Sequence, residues 1–207
     1  IVLIAILSMV VGSFAALRQE NIKRLMAYSS IGHVGFALVG LAAGTEAGVT
    51  GVLVYLGIYL VMNLGTFAVI LCMRRNDRMN EEITDLAGLA KTKPLMAAIT
   101  AIFMFSMAGI PPLAGFFGKF YVFKAAVDAG LVTLAVIGLV TSVVSAYYYL
   151  RIIKVMYFDE PVEGFDRNGT EMNVIMAVAT IIILAFVFFP NPLMDSAAVA
   201  AASLFGM

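Results

Sequence analysis

Between Leu95 and Val127 the chain stays apolar for longer than one straight crossing requires, since about 20 residues at ~1.5 Å each span the hydrocarbon of a bilayer. In the middle of that run stands Ala108-Gly-Ile-Pro-Pro-Leu-Ala-Gly-Phe-Phe-Gly-Lys119. Pro111 and Pro112 withdraw two backbone donors and push Ile110 out of the helical region, while Gly109, Gly115 and Gly118 permit backbone angles closed to other residues. The run is therefore expected to be a helix broken in two. Carbonyls freed by such a break are not stable against lipid. They persist where protein or a hydrated cavity satisfies them, which is how discontinuous helices build ion sites in transporters. Lys119 follows the break by one to two turns, about nine residues from Asp128. An amine at that depth costs several kcal/mol unless it faces a cavity or a partner. Lys119 thus reads as functional, and the competing reading is a lysine that climbs about two turns to the headgroups. Lys124 lies only four residues before Asp128 and reads as a lysine that does reach the interface.

The rest of the chain is of the same kind. Of 207 residues, 62% are hydrophobic and only 13% charged, which excludes a soluble globular domain and leaves an all-α, polytopic membrane helix bundle. Thirteen Lys and Arg balance thirteen Asp and Glu, so nothing points to nucleic acid, and the lipid bilayer is the first partner. Cys72, the only cysteine, lies in an apolar run without a disulfide or metal-ligand companion and reads as core. The start, Ile1-Val-Leu-Ile-Ala-Ile, has no Met and no basic flank. It is expected to lie inside a segment of a longer protein of which this is the C-terminal portion.

About six spans follow: Ile1 to Leu17, Leu25 to Ala43, Gly51 to Met73, the broken fourth, Leu131 to Tyr157, and Met172 to Phe189. Pro190-Asn-Pro192 stops the last, and Leu193 to Met207 is expected to be a short interfacial tail. The basic residues test the alternation of the connections. Arg18, Lys23, Arg24, Arg74, Arg75, Arg78, Lys91, Lys93, Arg151, Lys154 and Arg167 all fall at the first, third and fifth, and no arginine falls at the turns around Glu46 and Asp128. By the positive-inside rule the odd connections face the cytoplasm or its equivalent.

Several polar residues lie inside spans. Tyr55, Tyr59, Asn63 and Thr66 fall within about 80° of one helical face at 100° per residue. They either line ordered water or bond helices together. Ser29 and His33 are four apart and share a face. A neutral imidazole there is either a packed, hydrogen-bonded residue or a proton relay. Thr141, Ser145 and Tyr148 repeat the pattern more weakly, and Tyr147-Tyr148-Tyr149 reads as packing and interface anchoring. Lys23 stands beside Arg24, where it either sets topology or begins a proton path. There is no CxxC, no GxGxxG, no P-loop and no histidine pair, so no redox or nucleotide chemistry is expected of these residues themselves.

The segments Gln19-Glu-Asn-Ile-Lys-Arg-Leu-Met-Ala-Tyr-Ser-Ser-Ile-Gly-His-Val-Gly-Phe36 and Ala108 to Tyr121 resemble the antiporter-like membrane subunits of respiratory complex I, the NADH:quinone oxidoreductase. Asp85-Leu-Ala-Gly-Leu89, Lys93-Pro94 and Tyr147-Tyr-Tyr-Leu-Arg151 make the subunit N branch, the counterpart of mitochondrial subunit 2, the nearest. In that family two inverted five-helix repeats each carry a broken helix with a charged residue. The resemblance implies that residues 1–157 are the second repeat, a proton-conducting half. Residues 158–207 would be the connection, last span and tail. It implies that Lys119 is the outlet-side proton-carrying lysine and that His33 lies on the central hydrophilic axis. Protons would then pass through water between buried groups, since burial disfavours the charged form of an amine and lets it alternate. Sister subunits carry a histidine and often a lysine where Tyr59 and Asn63 stand, so transfer there would lean on water. Partners implied are the other membrane subunits. Any NAD, FMN, iron-sulfur clusters and quinone would belong to partner subunits, in a bacterial inner membrane or an organelle inner membrane. Two other readings share these residues. One is the large subunit of a multisubunit sodium/proton antiporter, and the other is a structural scaffold with Lys119 in a buried ion pair.

Overall fold

Residues 1–206 are described by a computed structural model. Most of them are helical, because a segment in lipid must satisfy its own backbone groups and an α-helix does so within itself. The helices are α1 (Val2–Leu17), α2 (Ile22–Ala42), α3 (Glu46–Leu71), α4 (Leu89–Thr92), α5 (Pro94–Ala108), α6 (Ala114–Asp128), α7 (Val132–Phe158), α8 (Thr170–Phe188) and α9 (Asn191–Leu204). Polar side chains set two of the starts: Asn21 accepts from the Arg24 amide at 3.1 Å and Thr45 from the Gly48 amide at 3.1 Å. Pro94 opens α5, where a missing N–H is harmless.

Four helices, α2, α3, α7 and α8, are long and apolar enough to cross a membrane alone. The first expected span, α1, has 16 residues. The expected fourth is a pair of 15-residue helices, α5 and α6, each about 22 Å long at 1.5 Å per residue. The break between them covers residues 109–113. Close helix packing uses small residues: a Cβ on Gly12 of α1 would meet the Gly32 amide nitrogen of α2 at 2.4 Å, so these two backbones touch.

The basic connections gather at one end and are tied together there. Lys23 pairs with Glu81 at 2.7 Å, and Arg75 with Asp85 at 2.8 Å. Arg151 donates to the carbonyls of Leu17 and Gln19, filling acceptors left open at the end of α1. The connection after α7 straps over a small hairpin, Arg74–Arg75 against Arg78–Met79, with Asp166 accepting from the Asn76 and Asp77 amides at 3.2 and 3.0 Å. Glu46, Lys124 and Asp128 line one cleft at the opposite end. Lys124 pairs there with Asp128 at 2.6 Å, and both are exposed.

The stretch after Pro190, expected as a short interfacial tail, is helical. It is α9, a 14-residue helix that packs on α3, with Leu193 beside Gly57 and with Ala197 and Ala201 buried. Its alanines form a smooth face that lets two helices approach closely.

Candidate functional site

Two buried polar clusters lie between α2, α3, α5, α6 and α7. The first is built around Lys119, only 6% exposed on α6. The break frees the last carbonyls of α5, and Lys119 Nζ donates to two of them, Met107 O at 3.0 Å and Ala108 O at 3.1 Å. It gives a third bond to Ser142 Oγ of α7 at 2.8 Å. An ammonium has three N–H donors, and here all three have an acceptor. The sequence demanded a partner for the freed carbonyls and one for the lysine, and each is the other's. No carboxylate pairs with Lys119 among the described residues.

The backbone makes this possible at two glycines. Gly109 ends α5 in the left-handed region at φ 85°, turning the chain away so that the carbonyls stay open to Nζ. A Cβ on Gly115 would stand 1.9 Å from Ser106 O, and the Gly115 amide donates to Ser106 Oγ at 3.0 Å, so α5 and α6 cross here in direct backbone contact. Pro111 and Pro112 sit outside this contact, on the exposed side of the break. Gly115→Ala is expected to force the half-helices apart and to destabilise the protein by about 1–3 kcal/mol, the usual range for overpacking. Thermal unfolding of the purified full-length protein checks it, and an unchanged midpoint would contradict the contact.

The second cluster centres on His33, 3% exposed on α2. Its Nδ1 lies 2.6 Å from the Tyr55 hydroxyl of α3 and its Nε2 lies 2.9 Å from the Tyr149 hydroxyl of α7. Ser29 Oγ shares a hydrogen bond with that same Tyr149 hydroxyl. Tyr59 stacks on the imidazole at 4.6 Å between ring centroids and donates to Ser30 Oγ at 2.7 Å. A neutral imidazole donates through one nitrogen and accepts through the other, so the chain Tyr55–His33–Tyr149–Ser29 has a direction that reverses with the tautomer. That is the property of a proton wire. Both readings of His33 meet here, because the residue is fully hydrogen-bonded and also bridges two hydroxyls.

The expected residues divide. Ser29, His33, Tyr55 and Tyr59 come together as described. Among the described residues Asn63 Oδ1 and Thr66 Oγ1 are buried without a partner, one and two turns beyond Tyr59 on the same face of α3. Buried oxygens of that kind ordinarily bond to ordered water, which favours the water-lining reading for that end of the stripe. Lys23 lies apart from both clusters, half-exposed at the basic end, about 15 Å along α2 from His33. Bonds from Lys23 and Asn21 hold the Glu81 carboxyl below the usual carboxylate range. The arrangement there serves the packing of the connections.

Tyr149, Ser142 and Ser30 are site residues that the sequence reading missed. Tyr149, read as part of an aromatic anchor, is 0% exposed and holds His33. Its signal was its place one turn after Ser145 and two after Thr141, on the polar face of α7. Among the described residues no group of three His, Cys, Asp or Glu side chains is placed to hold a metal ion.

The fold holds a broken apolar helix, a buried lysine at the break and a buried histidine bonded to two tyrosine hydroxyls, and residues 1–145 match the family described as NADH:quinone oxidoreductase/Mrp antiporter, TM. The chain belongs to that family. NADH-quinone oxidoreductase subunit N of Paramagnetospirillum magneticum is 67% identical over 98% of this chain. A chain of respiratory complex I from Thermus thermophilus with bound aureothin aligns with a TM-score of 0.79 at 36% identity, covering 94% of this chain and 44% of that one. The Mrp complex from Dietzia sp. DQ12-45-1b contributes a likeness of fold, with a TM-score of 0.89 at 22% identity over 99% of this chain and 47% of that one. This chain spans 42% of the length of the Paramagnetospirillum relative. The motifs at Gln19–Phe36 and Ala108–Tyr121 thus led to the right family and to its subunit N branch.

Proposed function

We propose that this chain is the proton-conducting second half of a subunit N-type protein in the membrane arm of an NADH:quinone oxidoreductase. Residues 1–157 make up the antiporter-like repeat, Lys119 is its terminal proton carrier, and His33 with Tyr55, Tyr149 and Ser29 delivers protons toward it. The observation that carries this reading is the buried Lys119 ammonium, held by neutral oxygens alone. Three neutral acceptors support the cation without fixing its charge, as a carboxylate would, so the amine is free to cycle. The scaffold reading needs an ion-pair partner, and no carboxylate pairs with Lys119 among the described residues.

Identity favours the quinone-linked complex over a sodium/proton antiporter: 67% to subunit N stands against 22% to the Mrp chain. In this reading NAD, FMN, iron-sulfur clusters and quinone reside in partner subunits, which supply the energy. Irregular backbone is not stable against lipid, so the exposed Pro111 and Pro112 are covered by protein, in the rest of this protein or a neighbouring membrane subunit. The basic end faces the cytoplasm of a bacterial inner membrane. The test is NADH-driven proton uptake in sodium-free medium, using vesicles that hold the assembled complex with the basic end outward. Inward proton movement is expected. A requirement for sodium would favour the antiporter, and outward movement would reverse the orientation.

A further inference from the structure

The two polar clusters share no hydrogen-bonded member, and one aromatic ring lies between them. Phe36 follows His33 by one turn of α2 and is 1% exposed. Its ring meets the imidazole edge-on at 5.9 Å and 88°, and meets Phe123 of α6 at 5.9 Å and 84°. On the other side, Lys119 Nζ stands 5.0 Å from the Phe36 ring centroid, within the range at which a cation is attracted to the face of an aromatic ring. Beyond Lys119 a groove of about 400 Å³, lined in part by Phe116, Phe120, Phe123 and Ser142, leads to Lys124. The lysine therefore has an apolar barrier toward His33 and an open side toward the end that carries Lys124 and Asp128.

We propose that Phe36 is a gate whose position is set by the charge on Lys119, closed against His33 while the lysine is protonated and released when it is neutral. The inference rests on the proton-carrier reading of Lys119 and His33. A charged Lys119 spends its three donors on Met107 O, Ala108 O and Ser142 Oγ and holds the ring by cation–π attraction. In that state its proton leaves through the groove, one N–H bond breaking at Lys119 as one O–H bond forms on an accepting water, because the path back is covered. The neutral amine loses the attraction to the ring and gains a lone pair that seeks a donor. The ring is then free to swing, a water joins the two clusters, and one N–H bond forms at Lys119 as one N–H or O–H bond breaks on the His33 side. Among the described residues, the groups around Lys119 leave no rival charge to hold the ring. Backbone carbonyls come from α5, Ser142 from α7, Phe36 with His33 behind it from α2, and Lys124, already paired with Asp128, from α6 itself. Phe36 acts through Lys119 and is a positioning residue.

The test uses the full-length protein in its assembled complex in vesicles, with Phe36→Ala and Phe36→Leu. Two quantities are read per quinone reduced: initial proton uptake with no opposing potential, and the gradient held at steady state. A merely structural defect lowers both together. Loss of a gate lowers the held gradient more than the initial uptake, since protons then run back from Lys119 to His33. Phe36→Ala is expected to reduce the held gradient roughly threefold or more relative to initial uptake, and Phe36→Leu, an apolar plug without a π face, by a smaller factor of about two. A parent-like ratio in Phe36→Ala would overturn the gate. A parent-like ratio in Phe36→Leu would overturn the part played by charge, and Phe36→Leu also decides the matter should the alanine form not assemble. Lys119→Arg in the unaltered background keeps the two ideas separate. If it pumps, the carrier reading has failed; if it does not while Phe36→Ala behaves as the parent, only the gate has failed.

Discussion

Lys119→Ala is expected to lower proton translocation per quinone reduced roughly tenfold or more, a loss more modest than the roughly 10²–10⁴-fold that a positioned acid–base group supplies to a chemical step. Two losses combine in this variant. The proton carrier is gone, and the carbonyls of Met107 and Ala108 lose the donor that satisfies them at 3.0 and 3.1 Å. A buried acceptor left without a donor costs about 1–3 kcal/mol, partly offset because a buried charge is also removed. The end of α5 should therefore loosen while the complex still assembles. Proton uptake and quinone reduction, measured at equal assembled amounts, check the first effect. Hydrogen exchange at the amides of residues 105–110 checks the second, and faster exchange there is the expected result.

His33 carries the second large effect. His33→Ala removes the partner of two buried hydroxyls, Tyr55 at 2.6 Å and Tyr149 at 2.9 Å, and leaves a cavity beside Tyr59. Translocation is expected to fall by about tenfold. The unfolding midpoint should fall too, since the orphaned Tyr55 hydroxyl costs roughly 1–3 kcal/mol, while the Tyr149 hydroxyl keeps its bond to Ser29. Tyr149→Phe separates the causes. It keeps the ring and the packing but cuts both the bond to Nε2 and the bond to Ser29. If the chain is a wire, Tyr149→Phe loses most of the transfer although it opens no cavity beside Tyr59. If His33 only packs, Tyr149→Phe pumps as the parent does, and His33→Ala is unstable without a specific pumping defect.

Much of this site could be read from residue types because burial in a membrane is so costly for them. Lys119 after Pro111 and Pro112, and His33 four residues after Ser29, stand out against apolar neighbours, and helical spacing alone gathers Tyr55, Tyr59, Asn63 and Thr66 on one face. The acceptors of Lys119 were hidden for a physical reason. Two of them are backbone carbonyls, which every residue carries, and they matter only because the break leaves them open. Tyr149 was hidden by its neighbours, since in three consecutive tyrosines only the packing of α7 decides that Tyr148 and Tyr149 turn inward and Tyr147 outward. The face of α9 was overlooked because its alanines give little hydropathy signal, though their small size lets the helix lie close to α3. Lys23 was ambiguous in sequence, and its partner Glu81 lies on a connection whose path no local pattern fixes.

The most direct measurement is proton uptake per quinone reduced by the Lys119→Arg form of the full-length protein in its assembled complex. A guanidinium supplies donors for Met107 O, Ala108 O and Ser142 Oγ, so it repairs the helix end that alanine leaves open. It does not release its proton in the working range and cannot alternate between charged and neutral. The account predicts an assembled complex with protected amides near residue 108 and with uptake as low as that of Lys119→Ala. Uptake restored to near the parent level would mean that Lys119 holds the broken helix together and carries no proton.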